Sequence, residues 1–230
     1  MADDVAGTSG LLLVDKPAGM TSHDVVDVAR RAYGERSIGH LGTLDPFATG
    51  LLVLLFGRAT RLATFIENEP KRYDATIAFG SETDTDDVTG TTTTTAPRPE
   101  RDSVLAGMAQ LTGEIEQVPP AYSAKKVAGR VAYDAAREGE PLRLASARVI
   151  VHEWTVRSLT DEALDATITC GTGTYIRALA RDLGRLAGSA AHLTALRRTR
   201  SGEFDVADAT PLDQLRSSPP PLRRLRIAVE

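Results

Sequence analysis

The sequence predicts an α+β protein, with a mixed, largely antiparallel central sheet and helices packed against it. Segments with alternating apolar residues outnumber segments with helical periodicity. They also come in runs, without the strict strand–helix alternation of a parallel α/β fold. No internal repeat is visible. The 230 residues suffice for one sizeable domain, or for one domain with a small appendage. With 42% apolar and 25% charged residues, the composition excludes a collagen-like, coiled-coil or wholly disordered chain.

Leu11–Val14 reads as a short buried strand ending in the turn Asp15–Gly19. Ser22 is placed to cap a helix over 23–33, in which Val25, Val26, Ala29 and Ala32 are apolar, and Gly34 suits its stop. Residues 35–50 hold Gly39, Gly42, Pro46 and Gly50 and predict a loop. A central strand Leu51–Phe56 and a short helix over 59–67 follow. Tyr73, Ala75, Ile77 and Phe79 alternate as in a half-buried strand. Thr83–Pro99, with its threonine run 91–95, predicts a long exposed loop or hairpin tip. A helix is expected over 102–111. Pro119-Pro120 then opens a polar, basic stretch with a short helix near 131–138 ended by Gly139. Strands follow over 148–157 and 164–170, the second with Leu164, Ala166, Ile168 and Cys170 on one face. Thr174 is placed to cap a helix over 175–187 with an apolar stripe of Ile176, Leu179, Ala180, Leu183 and Leu186. Residues 192–206 read as strand, turn and strand. Thr210-Pro211 starts a last short helix, and Ser217–Pro221 is a linker-like break before a basic tail.

Several chemistries lose support. The histidines His23, His40, His152 and His192 show no ligand spacing, and with one cysteine a zinc site is excluded. Gly171-Thr172-Gly173 opens like a dinucleotide fingerprint, but Ile176 stands where the third glycine belongs. There is no phosphate-loop motif and no Gly-x-Ser-x-Gly elbow. Cys170 reads as a core residue. The expectation is a reaction without cofactor or metal. A single cysteine forms no internal disulfide, the acidic Met1–Asp4 lacks a basic signal start, and the longest apolar run, Leu51–Phe56, is far short of the roughly 20 residues of a membrane helix. A cytoplasmic location away from membranes is expected. Net charge is −4, but residues 1–100 carry 9 basic against 15 acidic groups and residues 176–230 carry 10 against 6, leaving room for a local basic face. Of 27 basic residues 23 are arginine, the better phosphate fork.

One segment stands apart: Gly39-His40-Leu41-Gly42-Thr43-Leu44-Asp45-Pro46-Phe47-Ala48-Thr49-Gly50. Its glycines let backbone approach a ligand, and Pro46 keeps Asp45 out of helical geometry, so the carboxylate is presented from a loop leading into a buried strand. Taken alone, this is an Asp-Pro turn that needs no function. The whole segment, however, resembles the catalytic motif of the TruB family of tRNA pseudouridine synthases. Asp15-Lys16-Pro17 with Gly19 and Thr21-Ser22, Lys71-Arg72-Tyr73, and Thr83-Asp84-Thr85-Asp86 resemble further blocks of that family in order. So do Tyr122-Ser123-Ala124 with Lys126 and Gly129, Gly173–Arg177, and Ala191-His192 with Leu196-Arg197-Arg198. Leu41, Phe47 and Lys125 depart from the family's usual residues.

The resemblance implies the pseudouridine synthase fold, with a basic thumb insertion at about 118–142 in a catalytic domain of 1–215. It implies that 216–230 is a short tail without the PUA-like domain common in the family. The activity implied is isomerisation of a uridine in the tRNA T-loop, position 55 by tRNA convention, to pseudouridine. The base leaves C1′ through N1, turns, and rejoins through C5, with no cofactor. Asp45 matches the catalytic aspartate, either as nucleophile at C1′ or as base toward the sugar. Arg177 matches the arginine paired with it, and Tyr73 the tyrosine stacked on the flipped base. Tyr175 and Leu196 match pocket residues, and His40 the histidine inserted where the base has left. Lys16 and Asp84 match blocks given structural support only. Lys125, Lys126, Arg130 and Arg137 make the thumb basic, and the arginines of 177–200, among them Arg197, extend that surface toward RNA phosphates. A monomer acting on the T-arm is expected. Two alternatives stay open: a tRNA-folding helper with incidental catalysis, and a synthase acting on another RNA.

Overall fold

The computed structural model describes residues 9–66, 69–127 and 129–223. The expected basic tail beyond 223, the last residue of the helix expected to 67, and Met1–Asp4 lie outside them. In chain order the elements are β1 (Gly10–Lys16), α1 (Ser22–Tyr33), β2 (Ile38–Leu41), β3 (Thr49–Phe56), a 3-10 turn (Gly57–Leu62), β4 (Lys71–Phe79), β5 (Ser81–Thr83) and β6 (Thr92–Thr95). Then come α2 (Arg101–Gln110), β7 (Gly113–Gln117), β8 (Lys126–Val127), β9 (Arg130–Val131), α3 (Ala132–Arg137), β10 (Ala147–Leu159) and β11 (Ala163–Cys170). The chain continues through α4 (Ile176–Leu186), β12 (Ala191–Ser201), β13 (Phe204–Asp205), β14 (Thr210–Pro211) and α5 (Leu212–Ser217). This is the α+β class expected. No helix among the described residues is long and apolar enough to cross a membrane. The chain divides into two compact units, one formed by 1–71 with 197–230 and the other by 72–196.

In the first unit the strands run β14-β1-β3-β12, with β2 beside β3 and β13 beside β12. β1 and β2 are antiparallel to β3, whereas the final part of β12 is parallel to it. Strand β3 is buried on both faces, which is why its sequence is an unbroken apolar run without alternation. Period-2 geometry still sorts it. Leu52, Leu54 and Phe56 pack with Leu12, Val14, the Val25–Ala29 face of α1, and Leu212 and Leu215 of α5. Leu51, Val53 and Leu55 pack with Leu11, Leu13, Leu41, Ala59 and Phe204 on the other side.

The cap of α1 differs from the expectation. Thr21 is the N-cap, in a capping box with Asp24, and Ser22 is the first buried helical residue. Asp24 three residues after Thr21 closes the box, which frees Ser22 for a tertiary bond. Gly34 ends the helix at φ 64°, as expected. The predicted loop 35–50 contains β2, whose register places His40 opposite Leu54.

In the second unit the order is β12-β4-β11-β10-β7, and β10 is antiparallel to both β11 and β7. Strand β7 was not expected, because its Glu114 and Glu116 face solvent and only Gln117 is buried. The β5–β6 hairpin forms within the threonine-rich stretch, but its tip is not fully exposed: Asp86 and Asp87 are buried. Helix α4 starts one residue later than expected, with Tyr175 at its cap and no side-chain cap from Thr174. Gln117 takes that place: its Oε1 accepts the Tyr175 N–H at 2.8 Å, and its Nε2 donates to the Tyr175 carbonyl at 3.2 Å. Of the α4 stripe, Leu186 is exposed and the other four residues are buried. Pro211, the last residue of the short β14, is the N-cap of α5.

Candidate active site

In the first unit, the loop between β2 and β3 is held by backbone contacts that leave Asp45 half-buried between fully buried Leu44 and Ala48. The Asp45 carbonyl accepts the Ala48 N–H at 3.1 Å, closing a turn over Pro46. Ser22 donates its hydroxyl to the Leu44 carbonyl at 3.2 Å and accepts the Leu44 N–H at 2.9 Å. The Pro46 carbonyl accepts the Gly19 N–H at 2.8 Å and Lys16 Nζ at 3.2 Å.

Two buried cations clamp this loop. Lys16 Nζ also donates to the Pro17 carbonyl at 2.9 Å and the Met20 carbonyl at 2.6 Å, so a fully buried ammonium spends its donors on three carbonyls. Burial pushes its pKa down to about 8, against the pull of the Asp45 and Asp24 carboxylates, and Arg198 adds to the lowering. Arg198, also buried, donates through Nε to the Leu51 carbonyl at 2.7 Å and through Nη2 to the Gly42 carbonyl at 3.1 Å. This explains two of the glycines. A Cβ on Gly42, at φ 69°, would lie 3.2 Å from Arg198 Nη1 and 3.3 Å from Lys71 Nζ. A Cβ on Gly50, at φ 100°, would lie 2.3 Å from the Arg198 carbonyl oxygen. His40 is held below the ordinary histidine range, first by burial and then by Arg198 and His23. Its Nδ1 is buried with no hydrogen-bond partner among the described residues.

In the second unit, Tyr73 is a buried residue of β4, on the face shared with Ala75, Ile77 and Phe79, and Leu196 is a buried residue of β12. Tyr175 is half-buried at the start of α4. Arg177 is buried; its Nη1 donates to the Thr85 carbonyl at 2.8 Å, its Nη2 to the Tyr122 carbonyl at 2.9 Å, and its Nε lies 3.7 Å from Asp87 Oδ2. Lys125 and Lys126 are exposed near the β8–β9 hairpin. Arg130 on that hairpin pairs with Glu138 at 2.9 Å and Glu140 at 3.2 Å.

The expected arginine surface over 177–200 is corrected in part: Arg185 and Arg200 are exposed, but the others are not. Arg177, Arg181 and Arg198 are buried, and Arg185 is bound to Glu82 by two hydrogen bonds of 2.8 and 2.6 Å. In the first unit, Arg197 forks onto Asp15 at 3.0 and 2.7 Å. Arg177, Arg181, Arg185 and Arg197 lie against acids brought in from distant sequence, and Arg198 donates to the Gly42 and Leu51 carbonyls. Buried or half-buried guanidinium groups need such partners. Gln117, Arg181 and Arg198 were missed as support. For Arg181 a signal existed: Arg177, Arg181 and Arg185 recur at helical spacing, and the 82–87 segment holds an excess of acids.

Residues 30–176 match the family model described as TruB family pseudouridylate synthase (N terminal domain). Residues 177–219 match the model described as tRNA pseudouridylate synthase B C-terminal domain. The tRNA pseudouridine synthase B of Paenarthrobacter aurescens (strain TC1) is 49% identical over 90% of this chain and 69% of its own length. That of Thermobifida fusca (strain YX) is 50% identical over 90% of this chain and 74% of its own length. Among solved structures, a chain of a Cbf5-Nop10-Gar1 complex superposes with a TM-score of 0.70 at 28% identity, covering 91% of this chain and 54% of that one. The chain thus spans about half the length of that solved relative.

Proposed function

The chain belongs to the TruB family of pseudouridylate synthases, and from that membership we propose that it isomerises a uridine in the T-loop of tRNA, position 55, to pseudouridine. The observation that carries the reading is the Asp45 loop. A half-buried carboxylate sits on backbone fixed by Lys16, Ser22 and Arg198, at the position the family motif gives its catalytic aspartate. Asp45 is then the group that acts at the sugar, either on C1′ or on a sugar proton, while N1 leaves and C5 takes its place. Tyr73 and Arg177 complete the catalytic set.

The target base has to leave its stack, at a cost of a few kcal/mol. Tyr73 offers a ring for it, and base–aromatic stacking returns about 1–3 kcal/mol. Tyr175 and Leu196 line the base pocket in this reading. His40, neutral because burial and Arg198 disfavour its charge, fills the vacated stack without adding a charge among the bases. Lys125, Lys126 and Arg130 contact RNA phosphates, with Arg197 a lesser contributor because Asp15 already takes its fork. The reaction draws on no cofactor, and the protein acts as a cytoplasmic monomer.

The test is tritium release from a T-arm RNA labelled at uridine C5. Bond formation at C5 must expel that hydrogen. Wild type should release tritium and Asp45→Asn should release none, with RNA binding retained. Binding without release by wild type, on T-arm and on full tRNA, would move the weight to a folding helper or to another RNA target.

A further inference from the structure

We propose that Arg181 and Asp86 are a positioning pair that holds Arg177 in its working geometry, an inference that rests on the synthase reading above. Helix α4 presents Arg177, Arg181 and Arg185 one turn apart. The segment 82–87 supplies an acid to each: Asp87 lies 3.7 Å from Arg177, Asp86 2.7 Å from Arg181, and Glu82 2.6 Å from Arg185. Arg181 Nη2 also donates to the Val118 carbonyl at 2.8 Å, four residues before the Tyr122 carbonyl that receives Arg177. Both arginines therefore tie the same two segments to the helix.

Asp86 is the only non-glycine residue with positive φ, at 59°, among those described. Such a conformation persists only where the surroundings over-determine it, and it clusters at functional sites. Here its peptide is pinned on both sides. The Asp86 N–H donates to the Thr83 carbonyl at 3.1 Å, and its carbonyl accepts the Leu193 N–H at 3.1 Å. The reversal at 86 sends the Asp86 carboxylate to Arg181, while the residues on either side, through the Thr85 carbonyl and the Asp87 carboxylate, serve Arg177. Breaking the Asp86–Arg181 link removes the side-chain restraint on the dihedral that aims two of Arg177's partners, the Thr85 carbonyl and the Asp87 carboxylate.

The charged and titratable groups around Asp86 are Arg177, Arg181, Asp182 and Arg185 on α4 and Glu82, Asp84 and Asp87 on its own segment; on β12, next to Leu193, His192 Nδ1 lies 2.9 Å from the Ser81 carbonyl, and Tyr122 gives its carbonyl to Arg177. Burial pushes the Asp86 carboxyl up to about 6 against the pull of Arg181, Arg177 and Arg185. The pair lines a cleft of about 340 Å³, so protons reach it in the folded state. Below about pH 6 the carboxyl takes a proton and the ion pair is lost, so turnover should fall there. Stability moves the other way. The folded pKa lies above the ordinary 3.8, so the stabilising contribution of this group is full below that value and is lost as pH rises through about 6.

The experiment measures steady-state tritium release and melting temperature for wild type, Asp86→Asn and Arg181→Lys between pH 5 and 8. Asp86→Asn should lower kcat by about tenfold or more with KM within about twofold. It should also lose the acid limb near pH 6 and melt no lower than wild type at pH 7.5. Wild-type kcat with the acid limb retained, or a kcat loss matched by a melting loss, overturns the pair's positioning role. Should Asp86→Asn fail to fold, Arg181→Lys decides: reduced kcat at unchanged KM supports the pair, and wild-type kcat overturns it. A wild type that releases no tritium overturns the synthase reading and this role together.

Discussion

Lys16 shows how a single side chain can set the state of the Asp45 loop. Its ammonium is fully buried, yet its hydrogen bonds go to carbonyls, and the charges that favour it are the Asp45 and Asp24 carboxylates. An ammonium donates three hydrogens and a neutral amine two. As pH rises through about 8, one of the three carbonyls loses its donor and the grip on Pro46 weakens. Turnover should therefore show an alkaline fall centred near pH 8, absent in Lys16→Met, whose kcat is low throughout. Stability has the opposite sign: the folded pKa lies below the ordinary 10.5, so this group's stabilising contribution is full above that value and is lost as pH falls through about 8. Melting curves of wild type and Lys16→Met across that window check it, and equal slopes would refute the assignment.

At the scale of elements, α1 illustrates what a sequence rule captures and where it slips by one residue. The apolar spacing and the terminating Gly34 were legible, because both are local. The cap itself was missed although Asp24, three residues after Thr21, marks the box locally; the role of Ser22 was not legible, because it bonds Leu44, 22 residues away. The two residues should behave differently when replaced. Thr21→Ala removes the two bonds of its hydroxyl, both to Asp24, and should cost about 1 kcal/mol, with turnover unchanged. Ser22→Ala leaves the Leu44 N–H and carbonyl without a side-chain partner and should cost about 1–3 kcal/mol. It should lower kcat as well, because Leu44 adjoins Asp45. Urea melts read with tritium release separate the two outcomes. Strand β2 escaped notice for a related reason: Ile38–Leu41 is short and glycine-bearing, and it becomes a strand only through its ladder with β3.

On the scale of the whole molecule, an acidic protein of net charge −4 is proposed to hold a polyanion, so the cations that do so must be local. Lys125 and Lys126 are exposed, whereas Arg130 is already paired with Glu138 and Glu140. Replacing either lysine with alanine should lower the salt slope of T-arm binding by about 1, and replacing Arg130 should lower it by less. Binding titrations across salt concentrations check this, and an unchanged slope for both lysines would place the RNA elsewhere. The sequence by itself determined the α+β class, the strands of Leu11–Val14, Leu51–Phe56 and Tyr73–Phe79, the helices other than the one expected over 59–67, where the structure has a 3-10 turn at Gly57–Leu62, and the motif around Asp45. Those features depend on periodicity and on turn chemistry within a few residues. Only the tertiary structure decided which cations are surface and which are core. Arg197 and Arg198 are neighbours in a strand, yet one forks onto Asp15 at the surface and the other is buried against Gly42 and Leu51. The cost of burying a charge is set by partners that folding brings from more than a hundred residues away, and no local pattern records where they come to lie.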